Sequence, residues 1–500
     1  MSVKGASGRH AAQPSPRSTG LRTHHLVALL LSSHPPLTLL WVLIPTVFGI
    51  GQVVATPLVF AFAGLILVGF VAGYSGLGRR IRHPGGLYVQ VTSGLGRSAG
   101  LGAAGLLFLS YIGLVAAMYG LAAIVLSGLI TAVFGIDIPI AAALVASVLL
   151  VVGLSVAPLR TIARIMIVVV GGQFLIVVWF MSSALNSSPA GNVSAEALDP
   201  GWLLSGSFIV ALIFALTGFV GSEGATVYSG ELVDPHKSIP RATYLSYGLT
   251  TAVVVLGSWA ISGVVGAEDA VTLNSANLMS VLAHLMGTGS FSAIQNLLLA
   301  GVYVGVISTG ATLNNGAARQ LAGLARDGVL PSSFVADRAA GAPPARPALM
   351  VQPVASGVVA LAATFSTLPA LPLWLAVTSG LGVLAVLMLA SAAAAVWFLR
   401  GEADERGFLG WEGQVVAGLF SVLTVGIVFG YGVTHIEQVA PGSPAAASWL
   451  GGTLIGGTFA AGVFVAQFFR VRRPAVYAVI GGARVNDERL VAPPVPSVAR

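Results

Sequence analysis

The distribution of apolar residues constrains this sequence more than any other feature. Only 8% of the residues are charged and 56% are hydrophobic, whereas soluble chains carry roughly 25% charged residues. Such a chain cannot cover its apolar surface in water, so the sequence predicts an all-α integral membrane protein with about twelve transmembrane helices. The apolar runs that predict these helices are 26–52, 55–76, 98–130, 138–157, 163–185, 203–230, 242–266, 291–323, 348–367, 371–399, 412–432 and 448–469.

Lysine and arginine residues are confined to the two tails and to alternate connections between the apolar runs. The connections at 186–202 and 267–290 contain none of them. The positive-inside rule therefore places both termini in the cytoplasm, and an even number of spans agrees with that orientation. The sequence predicts a multi-pass protein of the cytoplasmic (inner) cell membrane, embedded in the lipid bilayer, with cytoplasmic tails at 1–25 and 471–500.

The composition argues against several other classes of protein. The absence of cysteine excludes disulfides and thiolate metal sites. The isoelectric point of about 10.0 follows from the orientation bias, and no basic patch with interleaved aromatic residues predicts a nucleic-acid partner. No phosphate-binding loop of the type GxxxxGKS or GxxxxGKT is present, which argues against ATP-driven pumping. We therefore expect no enzymatic activity, no cofactor, no metal and no nucleic acid.

The first apolar run is interrupted near its middle. Residues 32–36 read Ser-Ser-His-Pro-Pro within apolar sequence. Proline removes a backbone donor and clashes with the preceding turn. In hydrocarbon the freed carbonyl groups need partners, so such a break persists only where it faces protein or a water-filled cavity. The stretch predicts a helix split into a short inner half and a longer outer half, and the alternative is an ordinary proline kink packed against neighbouring helices.

The sixth run carries a second interruption. Gly218, Gly221 and Gly224 break its apolar sequence, and Glu223 is the one acidic residue that we expect deep within a span. An ionisable group at membrane depth is energetically unfavourable and usually faces a cavity or a partner. A functional carboxyl is the preferred interpretation, and the alternative is a protonated structural acid that is hydrogen-bonded to the backbone.

The two breaks suggest an internal repeat. They fall at the start of two halves with five runs each, 26–185 and 203–399, and two further runs follow at 411–470. Because five is odd, the second half is inverted relative to the first. Broken helices at matching places of inverted repeats indicate a transporter site near the bilayer midplane. Half-helix N-termini attract anionic groups and half-helix C-termini attract cations, which suits a zwitterion such as an amino acid.

Three motifs resemble those of the amino acid–polyamine–organocation (APC) transporter family. Residues 221–242 resemble its sixth-span signature, with Gly-x-Glu, Asp-Pro and Ile-Pro-Arg-Ala. Residues 84–88 resemble its Pro-x-Gly-Gly-x-Tyr loop, and residues 315–331 resemble the exit of its eighth span. The resemblance covers nearly the whole chain. It implies a leucine-transporter-like fold, in which a five-plus-five inverted repeat and two added C-terminal helices work by alternating access.

The resemblance also implies a substrate site at the two breaks. Backbone near Ser33 would hold a substrate carboxylate, and backbone near Ser222 would hold an amine, with Phe219 as a gate. Ser222 stands where the family usually has Phe. Gln173 lies near the place where some proton-coupled relatives carry an ionisable residue, so the coupling mechanism stays open. The expected substrate-binding residues are Ser33, His34, Pro35, Pro36, Thr38, Tyr111, Phe219, Val220, Gly221 and Ser222.

Two residues are candidates for carrying a coupling proton. Glu223 is preferred because it is an acid at membrane depth. His34 is the second candidate because an unperturbed imidazole titrates near neutral pH, and a neutral ring that caps the broken backbone is the alternative. Tyr111 interrupts the third run and either lines the site or packs in the core.

The eighth run contains a polar stripe formed by Ser308, Thr309, Thr312 and Asn314. Hydroxyl oxygens at Ser308 and Thr309 suit a sodium-like site, although such residues also bridge packed helices.

Together these features predict a secondary active transporter. It would move an amino acid or a related organic cation across the cytoplasmic membrane, with proton coupling preferred. The alternatives are a sodium-coupled symporter or an amino acid exchanger of the same fold. A channel does not need paired broken helices, and a membrane-embedded enzyme would need clustered His, Asp or Glu residues, so both are disfavoured.

Overall fold

The computed structural model describes residues 20–78, 83, 85–187, 195–273, 291–336, 343–368, 370–400, 410–444 and 446–482. Within these residues the chain is helical, and its only β-type pairings are two isolated bridges. The helices of the first half are α1 (Thr23–Leu31), α2 (Pro36–Thr38), α3 (Ile44–Gly51), α4 (Thr56–Gly78), α5 (Leu87–Leu95), α6 (Arg97–Phe134), α7 (Ile140–Ser155) and α8 (Leu159–Ser187). Those that follow are α9 (Phe208–Thr217), α10 (Pro235–Val265), α11 (Phe291–Arg326), α12 (Arg346–Thr364), α13 (Leu371–Leu399), α14 (Trp411–Thr434), α15 (Ile436–Val439), α16 (Ala446–Arg472) and α17 (Pro474–Val479).

The apolar helices have the lengths that a bilayer requires. In the described part of the chain, eleven helical stretches are long and apolar enough to span a membrane, and α7 is a shorter apolar helix. They occupy the positions of the twelve apolar runs, so the predicted all-α membrane fold is confirmed. The number of true spans and the inverted repeat stay predictions.

The helices pack around α6, the longest one with 38 residues. It contacts α5, α7, α11, α12, α13 and α16, whereas α4 packs against α9 and α10. Side chains on the outside of the bundle are apolar, as shown by Leu175 (74% exposed) and Phe464 (71% exposed). Such a surface is favourable in lipid and unfavourable in water.

Both interruptions lie where the sequence predicts them. α1 ends at Leu31, and the chain resumes helical structure at Pro36, continuing through a π-helical turn at Leu39–Leu43 into α3. α9 ends at Thr217 and is followed by a 3-10 helix, Ser222–Glu231. The two proline residues and the glycines therefore act as genuine helix breakers in this context.

The segment before α1 is ordered against the second interrupted helix. The N–H of Leu21 donates to the carbonyl of Glu231 at 3.3 Å, and the N–H of Val233 donates to the carbonyl of Leu21 at 3.0 Å. Leu21 is completely buried. The segment around Leu21 is thus joined to the end of the 3-10 helix. Residues 1–19 of the predicted tail lie outside the described residues.

Arg319 corrects one sequence-based expectation. Lysine and arginine residues are expected only in the tails and connections, but Arg319 lies inside α11 and is 5% exposed. Its Nη2 and Nε atoms both lie 2.8 Å from Oε1 of Glu231. The guanidinium also lies 4.9 Å from the ring centre of Tyr228. A carboxylate partner and an aromatic face allow the cation to be buried.

Candidate functional site

The two helix breaks touch each other at Gly221. This residue has φ +114°, a backbone conformation that residues with a side chain rarely adopt. A Cβ atom at this position would overlap with the side chain of Ser33. The missing side chain therefore allows the second break to approach the first one directly.

His34 connects three segments through hydroxyl groups. Its Nδ1 lies 3.0 Å from Oγ of Ser33. Its Nε2 lies 3.2 Å from Oγ of Ser222 and 3.3 Å from Oγ of Ser246 in α10. The hydroxyls of Ser222 and Ser246 are themselves 3.0 Å apart. Because a hydroxyl can donate or accept, this environment accommodates either neutral tautomer of the ring.

Side chains cover carbonyl groups at the end of α1. The Ser32 hydroxyl donates to the carbonyl of Leu29 at 2.8 Å, and the Ser33 hydroxyl donates to that of Leu30 at 2.6 Å. The Ser32 hydroxyl also forms a hydrogen bond of 2.7 Å with Oγ1 of Thr312 in α11. The C-terminus of this half-helix is thus capped by the hydroxyl groups of Ser32 and Ser33.

Glu223 accepts one hydrogen bond on each carboxyl oxygen. The Tyr111 hydroxyl donates to Oε1 and the Gly221 N–H donates to Oε2, each at 2.6 Å. Glu223 is 1% exposed. Among the described residues, none of the ion pairs involves Glu223. The two hydrogen-bond donors favour the charged carboxylate. Burial without a nearby cation favours the protonated acid, so the two effects on the protonation of Glu223 oppose each other.

Tyr74 holds the start of the 3-10 helix against α4. Its hydroxyl donates to the backbone carbonyl of Glu223 at 2.6 Å and accepts from the N–H of Thr226 at 2.9 Å. These bonds satisfy backbone groups that a regular α-helix would have paired within itself. Tyr74 therefore fixes the backbone on which Glu223 stands.

A small cavity of about 10 Å³ lies beside Glu223, which is room for about one water molecule. Gly224 and Gly316 on its wall are half-buried, and a Cβ atom on either would meet no atom within 4 Å. The residues around the cavity are Gly85, Leu87, Leu107, Tyr111, Glu223, Gly224, Val227, Gly316 and Gln320. The cavity therefore adjoins the buried carboxyl group and reaches toward the segment that follows α4.

Gln173 bonds to the start of the outer half-helix. Its Oε1 accepts from the N–H of Leu37 at 3.3 Å, and its Nε2 donates to the carbonyl of Gly301 in α11 at 3.2 Å. The neutral amide thus satisfies a backbone donor that the break leaves free. Next to it, the buried Oγ1 of Thr38 has no hydrogen-bond partner within the described part of the chain.

Phe219 packs against α10. Its ring lies nearly parallel to that of Tyr247, with 5.8 Å between the ring centres and 20° between their planes. Both rings are almost fully buried. The aromatic residue that we expect to act as a gate is therefore held by a second aromatic residue in this conformation.

Ser308 and Thr309 use their hydroxyl hydrogens within α11, and the sodium-like site at these two residues stays a prediction. Their hydroxyls donate to the carbonyls of Val304 and Gly305, one turn earlier in the same helix. Thr312 is the residue of the polar stripe that reaches the first break.

The structure places the predicted site residues in and around one cluster. The residues that meet directly or through one neighbour are Ser33, His34, Tyr111, Gly221, Ser222 and Glu223. Pro35 and Pro36 form the turn into α2, and Val220 is buried in the second break. Thr38 and Phe219 lie to either side, against α11 and α10 respectively.

Three residues of the cluster were missed by sequence reasoning. Ser246 belongs to a polar series with Thr243 and Thr250 at helical spacing in an otherwise apolar run, which was a usable signal. Tyr74 and Gln320 carry no such signal, because each lies near the end of an apolar run, where polar neighbours are ordinary.

A family model described as amino acid permease matches residues 24–466, which is most of the chain. No curated protein matches the chain at a significant level. The family match confirms the resemblance that the motifs around the second break and the loops suggested.

Proposed function

Since the chain belongs to the amino acid permease family, whose members are transporters and not enzymes, we propose that it carries an amino acid or a related organic cation by alternating access. Family membership and the apolar helices make it a multi-pass membrane protein with a small-molecule substrate. The observation that carries the finer proposal is the contact between the two breaks at Gly221 and Ser33. Broken helices that meet inside a bundle provide backbone groups for a charged solute.

The charge pattern supports the orientation. We place both termini in the cytoplasm and the protein in the cytoplasmic membrane, because basic residues fall in alternate connections. The proposed halves, 26–185 and 203–399, form inverted repeats, and 411–470 adds two helices. The cavity beside Glu223 then lies toward the cytoplasmic side, because it adjoins Gly85 in the connection after α4 and Leu87 at the start of α5.

The substrate is proposed to bind between Ser33–Pro36 and Phe219–Ser222. Thr38, with a buried hydroxyl that lacks a partner in the described residues, is a further group for the substrate carboxylate. The hydroxyls of Ser222 and Ser246 make this region more polar than an aromatic residue at position 222 would. We therefore favour a small or polar substrate over a bulky aromatic one.

A proton is the proposed coupling ion, and Glu223 is its proposed carrier. The carboxyl group is buried, lacks an ion pair in the described part of the chain and adjoins a water-sized cavity. Protonation removes its charge when solvent access is lost, and deprotonation follows when water reaches it. His34 is the second candidate, but its hydroxyl partners also satisfy a permanently neutral ring.

Sodium coupling or exchange is the second candidate mechanism. The observation that supports it is the pair of hydroxyl groups on Ser32 and Thr312, which joins the first break to α11. The hydroxyls of Ser308 and Thr309 donate to backbone carbonyl groups, which leaves their oxygen lone pairs available, so these two residues remain candidate sodium ligands.

The decisive experiment is uptake into proteoliposomes. Purified protein is screened against amino acids and polyamines, with either a pH gradient or a sodium gradient imposed. We expect saturable accumulation of one substrate class that depends on the pH gradient. Flux that does not saturate would contradict a transporter, and accumulation driven by sodium alone would contradict proton coupling.

Glu223→Gln tests the proton carrier, because glutamine keeps the size of the side chain and cannot titrate. We expect loss of accumulation driven by the pH gradient, while exchange of labelled for unlabelled substrate continues. His34→Gln serves as the comparison and should keep the response to pH. A Glu223→Gln protein that still accumulates substrate in response to pH would rule out this role.

A further inference from the structure

Asp327 gathers three separate parts of the chain at the end of α11. Its Oδ2 accepts from the Tyr88 hydroxyl at 2.7 Å and from the N–H of Gly481 at 2.8 Å. Its Oδ1 lies 3.1 Å from Nε2 of His83. The N–H of Gly85 donates to Nδ1 of the same ring at 3.1 Å, so Nε2 is the nitrogen that donates to Asp327. A carboxylate with three donors and 5% exposure is a built site.

The segment after α16 fits this site through its side chains as well. Ile480 is completely buried in a cluster with Tyr88, Leu101 and Leu324. Arg97 donates from Nη2 to the carbonyl of Ala478 at 2.8 Å. Its guanidinium carbon also lies 5.4 Å from the ring centre of Tyr477. The C-terminal segment therefore has an aliphatic anchor, a capped carbonyl and a stacked aromatic ring.

The two glycines after Ile480 have a specific geometric role. Gly481 has φ +77° and Gly482 has φ +80°, both in the left-handed region. A Cβ atom on Gly481 would lie 2.5 Å from Cγ2 of Thr92 in α5. Only glycine at position 481 can turn the chain and bring its N–H to Asp327 without displacing α5.

We propose that Asp327 centres a peptide-binding site that takes residues 474–482 of the same chain, and that the bound segment holds the connection between α4 and α5 against α11. The ligand class is a short peptide with an aliphatic anchor followed by a Gly-Gly turn. The connection joins α4, which packs on α9 and α10, to α5, which packs on α6. Gly85 and Leu87 line the cavity beside Glu223, and Gly85 is bonded to His83, so an occupied site holds this part of the cavity wall against α11 and opposes opening of the cavity.

The hydrogen bond from Tyr88 to Asp327 does not change across the ordinary pH range. Burial, followed by the charge of Asp327, raises the pKa of the Tyr88 hydroxyl well above its usual value of 10.0. The hydroxyl therefore remains a donor, and its contribution is lost only as the pH rises through that elevated pKa.

Cysteine labelling tests the proposal, because the chain has no cysteine of its own. Gly224→Cys places a thiol on the cavity wall, where an added side chain meets no atom within 4 Å. Its maleimide labelling rate is measured in two shortened proteins: one ends at Arg473 and lacks the segment, and the other ends at Gly482 and keeps it. We expect labelling about tenfold faster in the first, from the loss of a hydrogen bond to a charged group, and an unchanged rate in the second.

A synthetic peptide of residues 474–482, added to the protein that ends at Arg473, should restore slow labelling. Gly481→Ala in the full chain tests the same contact without shortening it and should also accelerate labelling. Equal rates in the two shortened proteins, or no accelerated labelling with Gly481→Ala, would overturn the proposal. These readouts do not require transport, so they can fail or succeed independently of the proposed function.

Discussion

Gly221→Ala is the substitution that tests the contact between the two breaks most directly. Two effects add at this position. A residue with a side chain at φ +114° is strained by about 1–3 kcal/mol. The new methyl group would also overlap with Ser33, and overpacking of a well-packed interior destabilises by about 1–3 kcal/mol. We expect the free energy of unfolding to fall by about 2–6 kcal/mol in total.

A double-mutant cycle separates these two effects. Ser33→Gly removes the overlapping side chain, together with its hydrogen bonds to Leu30 and His34. In that background the overpacking effect of Gly221→Ala disappears while the backbone strain remains. The coupling free energy between the two substitutions should therefore be about 1–3 kcal/mol in the stabilising direction.

The assay is equilibrium unfolding of the purified proteins in mixed detergent micelles, followed by tryptophan fluorescence. Gly224→Ala is the matched control, because its methyl group meets no atom within 4 Å and its φ is not in the left-handed region. We expect it to leave stability within about 1 kcal/mol of the wild type. If Gly221→Ala were as stable as this control, or if the cycle showed no coupling, the breaks would not meet as described.

Two further predictions follow from the same packing. Arg319→Met leaves the Glu231 carboxylate buried without its guanidinium partner, so the free energy of unfolding should fall by about 3–5 kcal/mol. The double variant with Glu231→Leu should recover much of that loss. Gly316→Ala places a methyl group in the cavity beside Glu223 without overlap, so uptake driven by a pH gradient should slow several-fold while the stability stays unchanged. Gly430→Ala is the control, because its methyl group also meets no atom within 4 Å, and it should leave uptake unchanged.

The fold could be predicted because its main determinant, the length of each apolar run, is a local property of the sequence. Bilayer thickness fixes the length of an apolar helix, so the twelve runs could be counted without any tertiary information. The two breaks were predictable for the same reason, since Pro35 and Pro36 or a group of glycines act on the backbone next to them. The burial of Arg319 could not be predicted, because charge counting assumes that basic residues lie outside spans and because its partner Glu231 lies 88 positions away.

The partners that join different helices in the site could not be predicted, because these contacts connect residues that are far apart in the chain. Tyr74 is 149 positions from Glu223, and Ser246 is 212 positions from His34. A polar residue in an apolar run indicates that some partner exists, but helix packing decides which one. The same holds for Asp327 and Gly481, 154 positions apart.

The caps on the first break bear on how such a site binds and releases a solute. The carbonyl groups freed by the break need partners, and the hydroxyls of Ser32 and Ser33 donate to those of Leu29 and Leu30. A hydroxyl rotates about one bond, so it can turn from its carbonyl group and donate to a substrate carboxylate without rearrangement of the backbone. The unoccupied break then avoids the free-energy cost of an unsatisfied buried carbonyl. We infer that these serines lower the affinity of the site but keep the first break intact between substrates, which a symporter needs because it returns empty.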